Sequence, residues 1–561
     1  MTSTPYIRAA EHRERRLQPA CGRVRRHFYA PDWRTWLLAL CVTFALVACG
    51  ESQQELADTN VLNRGLGAEP ESLDPHKSHS AEAGDVQRDL GEGLTGYAAN
   101  GELEPRAALR WEISDDGKVY TFWLRPDARW SNGDKVTAAD FVYGFRRLVD
   151  PETAAFYSQS VIDIENASAI VAGKMPVDAL GVEAAGEFEL SVRLEQPTPY
   201  FLALLTHPSM FPAYQASIEA ETVYARPGNF ISNGAYRLVR WEVGSYIELE
   251  RNEYYWDNGN TAIDRVRYYL IPEPMVELNR YRAGELDVTD TIPSESFAQM
   301  RDTRPGELRI APYLSVYYYG FNLTRPPFKD NLELRQALSM AIDREVLTET
   351  IIGRGETPAY SWVPPGVDNY DGPALPYAKM SVDERHAAAK QVYAEAGYSE
   401  DNPARVEIRY NTSEIHQRIA LAIQSMWREV LGVETTLINE EFQVLLSNMR
   451  AMKVTVVFRS SWTADYNDAQ AFLHVLQSDT ASNMTGYASK EFDSLMQQAG
   501  AQSDPALRRR YMEEAERVLL ADYPLIPLYF YVSKHLVSPR ISGWGDNALD
   551  YHYSQHLSFS Q

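Results

Sequence analysis

Two opposite charges, Arg459 and Asp465, stand six positions apart in the stretch Arg459-Ser460-Ser461-Trp462-Thr463-Ala464-Asp465-Tyr466-Asn467-Asp468. An Arg fork grips a carboxylate through two N–H bonds, and an Asp accepts from an ammonium. Facing one cavity, the two side chains can hold both ends of a zwitterion. Facing each other, they make a buried ion pair, and structural ion pairs cluster charge just as sites do. The apolar run Val454-Thr455-Val456-Val457-Phe458 ahead of them predicts a buried strand. Small residues and Trp462 then lead the chain out of the sheet.

Other chemistry is sparse. The chain has no Gly-x-Ser-x-Gly elbow, no His-Glu-x-x-His, no Walker loop and no Gly-x-Gly-x-x-Gly opening a helix. Ser, His and Asp occur without a recognisable setting, so an enzyme is not expected. No Cys pair or clear His/Cys cluster offers a metal site, and no cofactor is called for. Aromatic content is high, with 34 Tyr and 11 Trp. Tyrosines near strand ends suit a binding cleft, combining apolar area with a polar tip, although most of them fill cores and surfaces.

The elements that position these groups belong to a chain of 561 residues, too long for a single core. Net charge is −23; residues 1–48 hold eight Arg against Glu11, Glu14 and Asp32, which is +5, so the remainder carries −28. Such an acidic body argues against nucleic acid as a partner. Cys21, Cys41 and Cys49 all lie near the N-terminus, so no disulfide staples the body. Arg23, Arg25, Arg26 and Arg34 precede the apolar run Trp36 to Ala48, which is short for a bilayer span and right for a signal segment, residues 1–48. It ends in Leu46-Val47-Ala48-Cys49-Gly50, which resembles a bacterial lipobox and implies cleavage before Cys49 and lipidation of its thiol. Glu51 to Asn60 reads as a polar tether.

Along the body, strands alternate with helices, which predicts an α/β fold. Asp116-Gly117 and Asn132-Gly133 are turns, Tyr120, Phe122 and Leu124 alternate on one strand face, and Thr137 can cap a helix running to Leu148. Strands are expected at Asn60 to Leu66, Tyr236 to Val239, Tyr246 to Arg251, Val266 to Ile271 and Glu285 to Val288, and a helix over Ala83 to Leu94. Tyr313 and Tyr317-Tyr318-Tyr319 form an aromatic strand that opens a second body. Ser361 to Pro373 is a Pro- and Gly-rich loop, and Leu525 to Val532 is a last strand carrying Tyr529 and Tyr531.

Trp111 to Phe141 resembles the signature of the family-5 extracellular solute-binding proteins, the peptide/nickel receptors of ABC importers. The resemblance continues through Asn233-Gly234-Ala235-Tyr236, Asn252 to Asp257, Leu334 to Ser339, Ala341 to Arg344 and Glu395 to Tyr398, and so spans essentially the whole mature chain. Leu73 to Lys77, Tyr410 to His416, Trp462 to Asn467 and Tyr529 to Tyr531 are similar to the oligopeptide receptors within it.

The resemblance implies a two-lobed periplasmic-binding-protein clamshell, type II, cluster C, with an inserted side domain. One lobe comprises 49–92, 217–314 and 533–561, the side domain 93–216, and the other lobe 315–532. It implies a monomer that performs no covalent chemistry, binds short peptides and delivers them to a permease and its ATPase subunits. Asp465 is then expected on the peptide α-ammonium, and Arg459, His416 and Arg450 on its carboxylate. Ser461 and Thr463 offer backbone groups around Trp462; Ser78 to Ala81, including His79, form a strand opposite; Tyr157, Tyr313, Tyr318 and Tyr531 line the cleft. A receptor for murein or signalling peptides is the alternative. His79, Ser461-Trp462-Thr463 and Thr289-Asp290-Thr291 depart from the family pattern and put peptide length and charge preference in question.

Overall fold

The computed structural model describes residues 60–220, 223–454, 456–478 and 480–560; the expected signal segment and Cys49 lie outside them. Three main sheets organise the chain. The first runs in the order Val61–Gly65, Arg265–Tyr269, Tyr246–Arg251, Tyr236–Glu242, its first pair parallel and the rest antiparallel. The second is antiparallel, in the order Ala108–Ile113, Val119–Leu124, Glu189–Arg193, Val182–Gly186. The third has six strands, in the order Thr357–Pro358, Leu525–Leu536, Leu308–Phe321, Val457–Thr463, Arg405–Asn411, Glu434–Glu440.

Side-chain alternation builds the cores. In Val119–Leu124, residues Tyr120, Phe122 and Leu124 are buried while their neighbours are half-buried, each fully buried side chain contributing roughly 2 kcal/mol. The helix Ala138–Val149 lies against this sheet, its start fixed by Thr137 and Asp140 in a capping box. The six-stranded sheet buries Tyr317, Trp362, Ile408, Trp427 and Phe458 in one cluster. Both indoles there satisfy their N–H, Trp362 on the Phe472 carbonyl at 2.8 Å and Trp427 on the Leu338 carbonyl at 2.9 Å. The Pro- and Gly-rich loop is pinned by Glu516, whose Oε1 accepts from the Trp362 and Val363 amides at 2.7 and 2.9 Å.

Two long strands connect the sheets. Leu308–Phe321 and Leu525–Leu536 run antiparallel, Leu308 to Pro312 opposite Leu536 to Val532, and Val316 to Gly320 opposite Phe530 to Leu525. The register slips between these halves, Pro312 to Val316, where Pro312 has no N–H to give the ladder. At the slip, the Leu314 amide donates instead to the Ala548 carbonyl at 2.8 Å, and its carbonyl accepts from the Ala464 amide at 2.9 Å. Beyond Leu536, bridges from Val537 to Val288 and from Val288 to Arg64 lead into the first sheet.

Three local expectations are corrected. The strand predicted to end at Phe458 is Val457–Thr463, because Ser315 to Phe321 pairs with all of it; Arg459 therefore sits inside the sheet. Glu285 to Val288 forms isolated bridges rather than a strand. Ser78 to Ala81 is not a strand: Ser80 caps the helix Ala81–Leu90, its side chain accepting from the Ala83 amide, and Ala81 opens that helix.

Candidate functional site

Pairing across the six-stranded sheet sets the site. Arg459 lies opposite Tyr319, and Ser461 opposite Tyr317, so their side chains share one face with Tyr529, the partner of Tyr317. The Arg459 guanidinium is 9% exposed and sits 4.7 Å over the Tyr317 ring, which stacks on Tyr529 at 4.7 Å. Its Nη1 donates to Asn411 Oδ1 at 3.2 Å, and its Nη2 reaches the Tyr531 hydroxyl and Ser461 Oγ, each at 3.5 Å. Its Nε has no partner, and no carboxylate pairs with it among the described residues. Burial alone would lower its pKa; the Tyr317 and Tyr531 oxygens more than offset this, so the charge is held. A buried cation served only by neutral groups is a place where an anion is favoured.

His416, in the first turn of the helix Glu414–Leu431, joins this group through Nδ1, 3.2 Å from the Tyr317 hydroxyl. Burial, with Arg459 and Arg354 nearby, pushes its pKa down to about 3. In the unliganded protein it is therefore neutral at neutral pH.

Asp465 follows the strand end and faces a separate cavity of about 400 Å³ walled by Tyr157, His207, Met210, Trp462, Tyr466 and His474 among others. Its carboxylate is open to the cavity yet makes no hydrogen bond or ion pair with the described residues, and desolvation raises its pKa. The neighbouring groups are neutral: burial, with Arg88 nearby, lowers His207 to about 3, and burial, then Asp465 itself, raises Tyr157 to about 12. Trp462 is fixed by an Nε1 bond to the Ala471 carbonyl at 2.7 Å. Arg459 and Asp465 are thus not an ion pair; each holds its charge unmatched. Nor do they share one cavity, since Arg459 is not a wall of the one at Asp465.

Comparison with known proteins places this geometry. Residues 102–484 match the family model of bacterial extracellular solute-binding proteins, family 5. The chain belongs to that family. It is 38% identical over 533 residues to the periplasmic oligopeptide-binding protein OppA of Salmonella typhimurium, covering 93% of this chain and 98% of the relative. Among solved structures, it resembles the murein tripeptide-binding protein MppA in an unliganded open form, with TM-score 0.82, 35% identity and coverage of 90% and 98%. It also resembles Haemophilus influenzae OppA in complex with RPPGFSPFR, with TM-score 0.72, 37% identity and coverage of 89% and 99%. The family-5 architecture is the two-lobed, type II α/β clamshell, and its members serve transport as binding proteins rather than enzymes.

The remaining family-5 candidates fall into place unevenly. Tyr313 and Tyr531 line a second cavity of about 220 Å³ with Pro312, Gly355 and Pro365, beside the register slip. Thr463 is exposed, its hydroxyl 2.8 Å from Ser315 Oγ. Tyr318 is 5% exposed and packs edge-on to Trp362 at 5.0 Å, on the sheet face away from Arg459, whereas Tyr317 lies on the Arg459 face. Arg450 is exposed on the last turn of the helix Phe442–Ala451 and is tied to neither Arg459 nor His416. His79 pairs with Glu71 at 3.0 Å and stacks on Phe156 at 4.4 Å, while Glu71 also takes the His79 and Ser80 amides.

Sequence reasoning passed over His207, His474 and Tyr200 in the cavity at Asp465; no local motif marks them. It also passed over His535, Asp550 and His552, whose ligand atoms lie within 4.8 Å of one another. At the lobe face nearby, burial raises Asp290 to about 6, and Asp85, Glu82 and Asp550 add to the shift against His535.

Proposed function

We propose that this protein is the peptide receptor of an ABC importer, holding short peptides by their termini and main chain and delivering them to a membrane permease. The observation that carries this reading is the pair of unmatched charges. Asp465 has no cationic partner, and Arg459 has no anionic one. A peptide zwitterion supplies both, and main-chain bonding leaves side-chain identity free. The OppA and MppA relatives support the same class of ligand.

In this reading Asp465 takes the α-ammonium, while Arg459, with His416 as a neutral donor, takes the carboxylate. Trp462 and Tyr157 wall the amino end, with Ser461 and Thr463 beside them; Tyr313 and Tyr531 border the carboxyl side. Arg450 serves only longer peptides. Lobes 49–92, 217–314 with 533–561, and 315–532 close over the ligand, 93–216 being a side domain, and the two long strands act as the hinge. The protein works as a monomer in the periplasm, anchored by lipid on Cys49; no helix among the described residues is long and apolar enough to cross a membrane.

The likeness to MppA favours a second reading, a receptor reserved for murein peptides. Native mass spectrometry of the purified protein separates them. A spread of co-purified masses of a few residues supports the general receptor; a single mass displaced only by murein tripeptide supports the second. A protein that is empty and ignores an added tripeptide library defeats both.

A further inference from the structure

Away from the cavities just described, His535, Asp550 and His552 bring three ligand atoms to one point, His535 from the end of a long strand and the other two from the segment that follows it. His535 is the penultimate residue of the long strand Leu525–Leu536, and its Nδ1 lies 2.8 Å from the Thr289 carbonyl. With Nδ1 donating there, Nε2 is aimed at Asp550, 2.9 Å from Oδ1 and 3.1 Å from Oδ2. His552 Nε2 approaches the same Oδ1 at 2.9 Å. The Trp544 ring stacks on His552 at 3.7 Å and the two imidazoles meet at 80°. The histidine side chains are 12% and 6% exposed, whereas Asp550 is 25% exposed, which leaves a way in from solvent.

We propose that His535, Asp550 and His552 form a binding site for a first-row divalent cation of the zinc type. Two imidazoles and one carboxylate are the donor set that such ions prefer over calcium or magnesium. Bonds of about 2.0–2.2 Å in a tetrahedron set ligand atoms roughly 3.3–3.5 Å apart; each histidine nitrogen now lies 2.9 Å from Asp550 Oδ1, and all three ligand atoms fall within 4.8 Å of one another. The Thr289 carbonyl on His535 Nδ1 is the outer-shell acceptor that fixes a metal-binding tautomer. Asp290 acts electrostatically on both His535 and Asp550, and its carboxylate accepts no hydrogen bond among the described residues. Water completes the coordination. Without the ion, a proton on each Nε2 closes the same three groups into a hydrogen-bonded triad, and metal binding displaces those protons.

The site is structural rather than part of the peptide cavity. It ties the long strand that carries His535 to the C-terminal segment, whose Ala548 carbonyl receives the Leu314 amide of the other long strand. A bound cation therefore braces both strands where they pass between sheets.

The test is a Co²⁺ titration of the untagged, chelator-treated protein, followed by Zn²⁺ competition and thermal unfolding. The expected result is one equivalent of Co²⁺ with intense visible d–d bands, displacement by Zn²⁺, and a higher Tm with either ion. His552→Gln and Asp550→Asn each weaken binding beyond the 10- to 100-fold typical of outer-shell changes. His552→Cys restores it with a sulfur-to-cobalt charge-transfer band, and His386→Gln leaves it unaltered. Absence of saturable binding in the parent protein overturns the proposal whatever the variants do. So does binding that survives the paired substitution His535→Gln and His552→Gln.

Discussion

Replacing Asp465 by Asn removes one charge while keeping the shape of the side chain. In the peptide-bound state, a carboxylate and an ammonium about 4 Å apart gain roughly 4 kcal/mol at the effective dielectric of a partly buried site. Desolvating the ammonium takes back part of this, leaving a loss of about 2–3 kcal/mol for the truncated pair, or about 30- to 150-fold in Kd. Stability responds differently. Asp465 is exposed to the cavity and has no partner, and partial desolvation there raises its pKa. The folded state therefore holds the proton more tightly than the unfolded chain, and the stability this confers is lost as pH rises through the raised pKa. At neutral pH the exposed carboxylate contributes little to stability, so Asp465→Asn leaves Tm nearly unchanged. Calorimetry with a tripeptide and its N-acetyl form completes a cycle: acetylation weakens binding to the parent but costs Asp465→Asn nothing further. A coupling energy below about 0.5 kcal/mol, the scatter of independent sites, refutes the assignment.

Three further outcomes follow from the same structure. Arg459→Gln weakens a free-acid tripeptide by at least tenfold, about 1.4 kcal/mol, yet discriminates poorly between that peptide and its C-terminal amide; equal discrimination in parent and variant removes Arg459 from the carboxylate. The His416 imidazole, with its pKa held at about 3, shows no NMR titration between about pH 5 and 8, where an ordinary histidine near 6.5 changes charge. Glu516, fully buried and accepting from Trp362, Val363 and Tyr370, has its pKa raised to about 7 by burial. Its proton is held from about pH 4.5 upward and the associated stability disappears through pH 7, so Glu516→Gln flattens the fall in Tm between pH 5 and 8; a parallel pH profile contradicts this.

What could be read from sequence was whatever local chemistry and periodicity determine. Arg459 and Asp465 stand out because few other arrangements place a strand-borne Arg and an Asp beside a Trp. The capping residue Thr137 and the alternation of Tyr120, Phe122 and Leu124 are equally local, and both hold. Three consecutive tyrosines are different: a strand sends Tyr317 and Tyr319 one way and Tyr318 the other, and nothing local says which way is the site. The register slips at Pro312 to Val316 and at Tyr317 to Tyr318 break the parity that might have been counted from either end. Ser78 to Ala81 was hidden because an extended N-cap residue and a strand residue have similar backbone angles, as Ser80 has at φ −79°, ψ 151°. The meeting of His535 with Asp550 and His552 depends on how the C-terminal segment returns past the long strand, which no spacing encodes.

Leu314 stands at the register slip with its carbonyl bonded to Ala464, the residue immediately before Asp465. Points close to a pivot are displaced least when a body turns about it. With the two long strands as the proposed hinge, Asp465 lies near the still centre, and groups farther along the sheets sweep the larger arcs. In the proposed reading, the amino end of a peptide meets the same carboxylate at every stage of closure. On that proposal the amino end is the least disturbed part of the ligand, like the fixed jaw of a calliper, and the parts that travel gauge the length of the remaining chain.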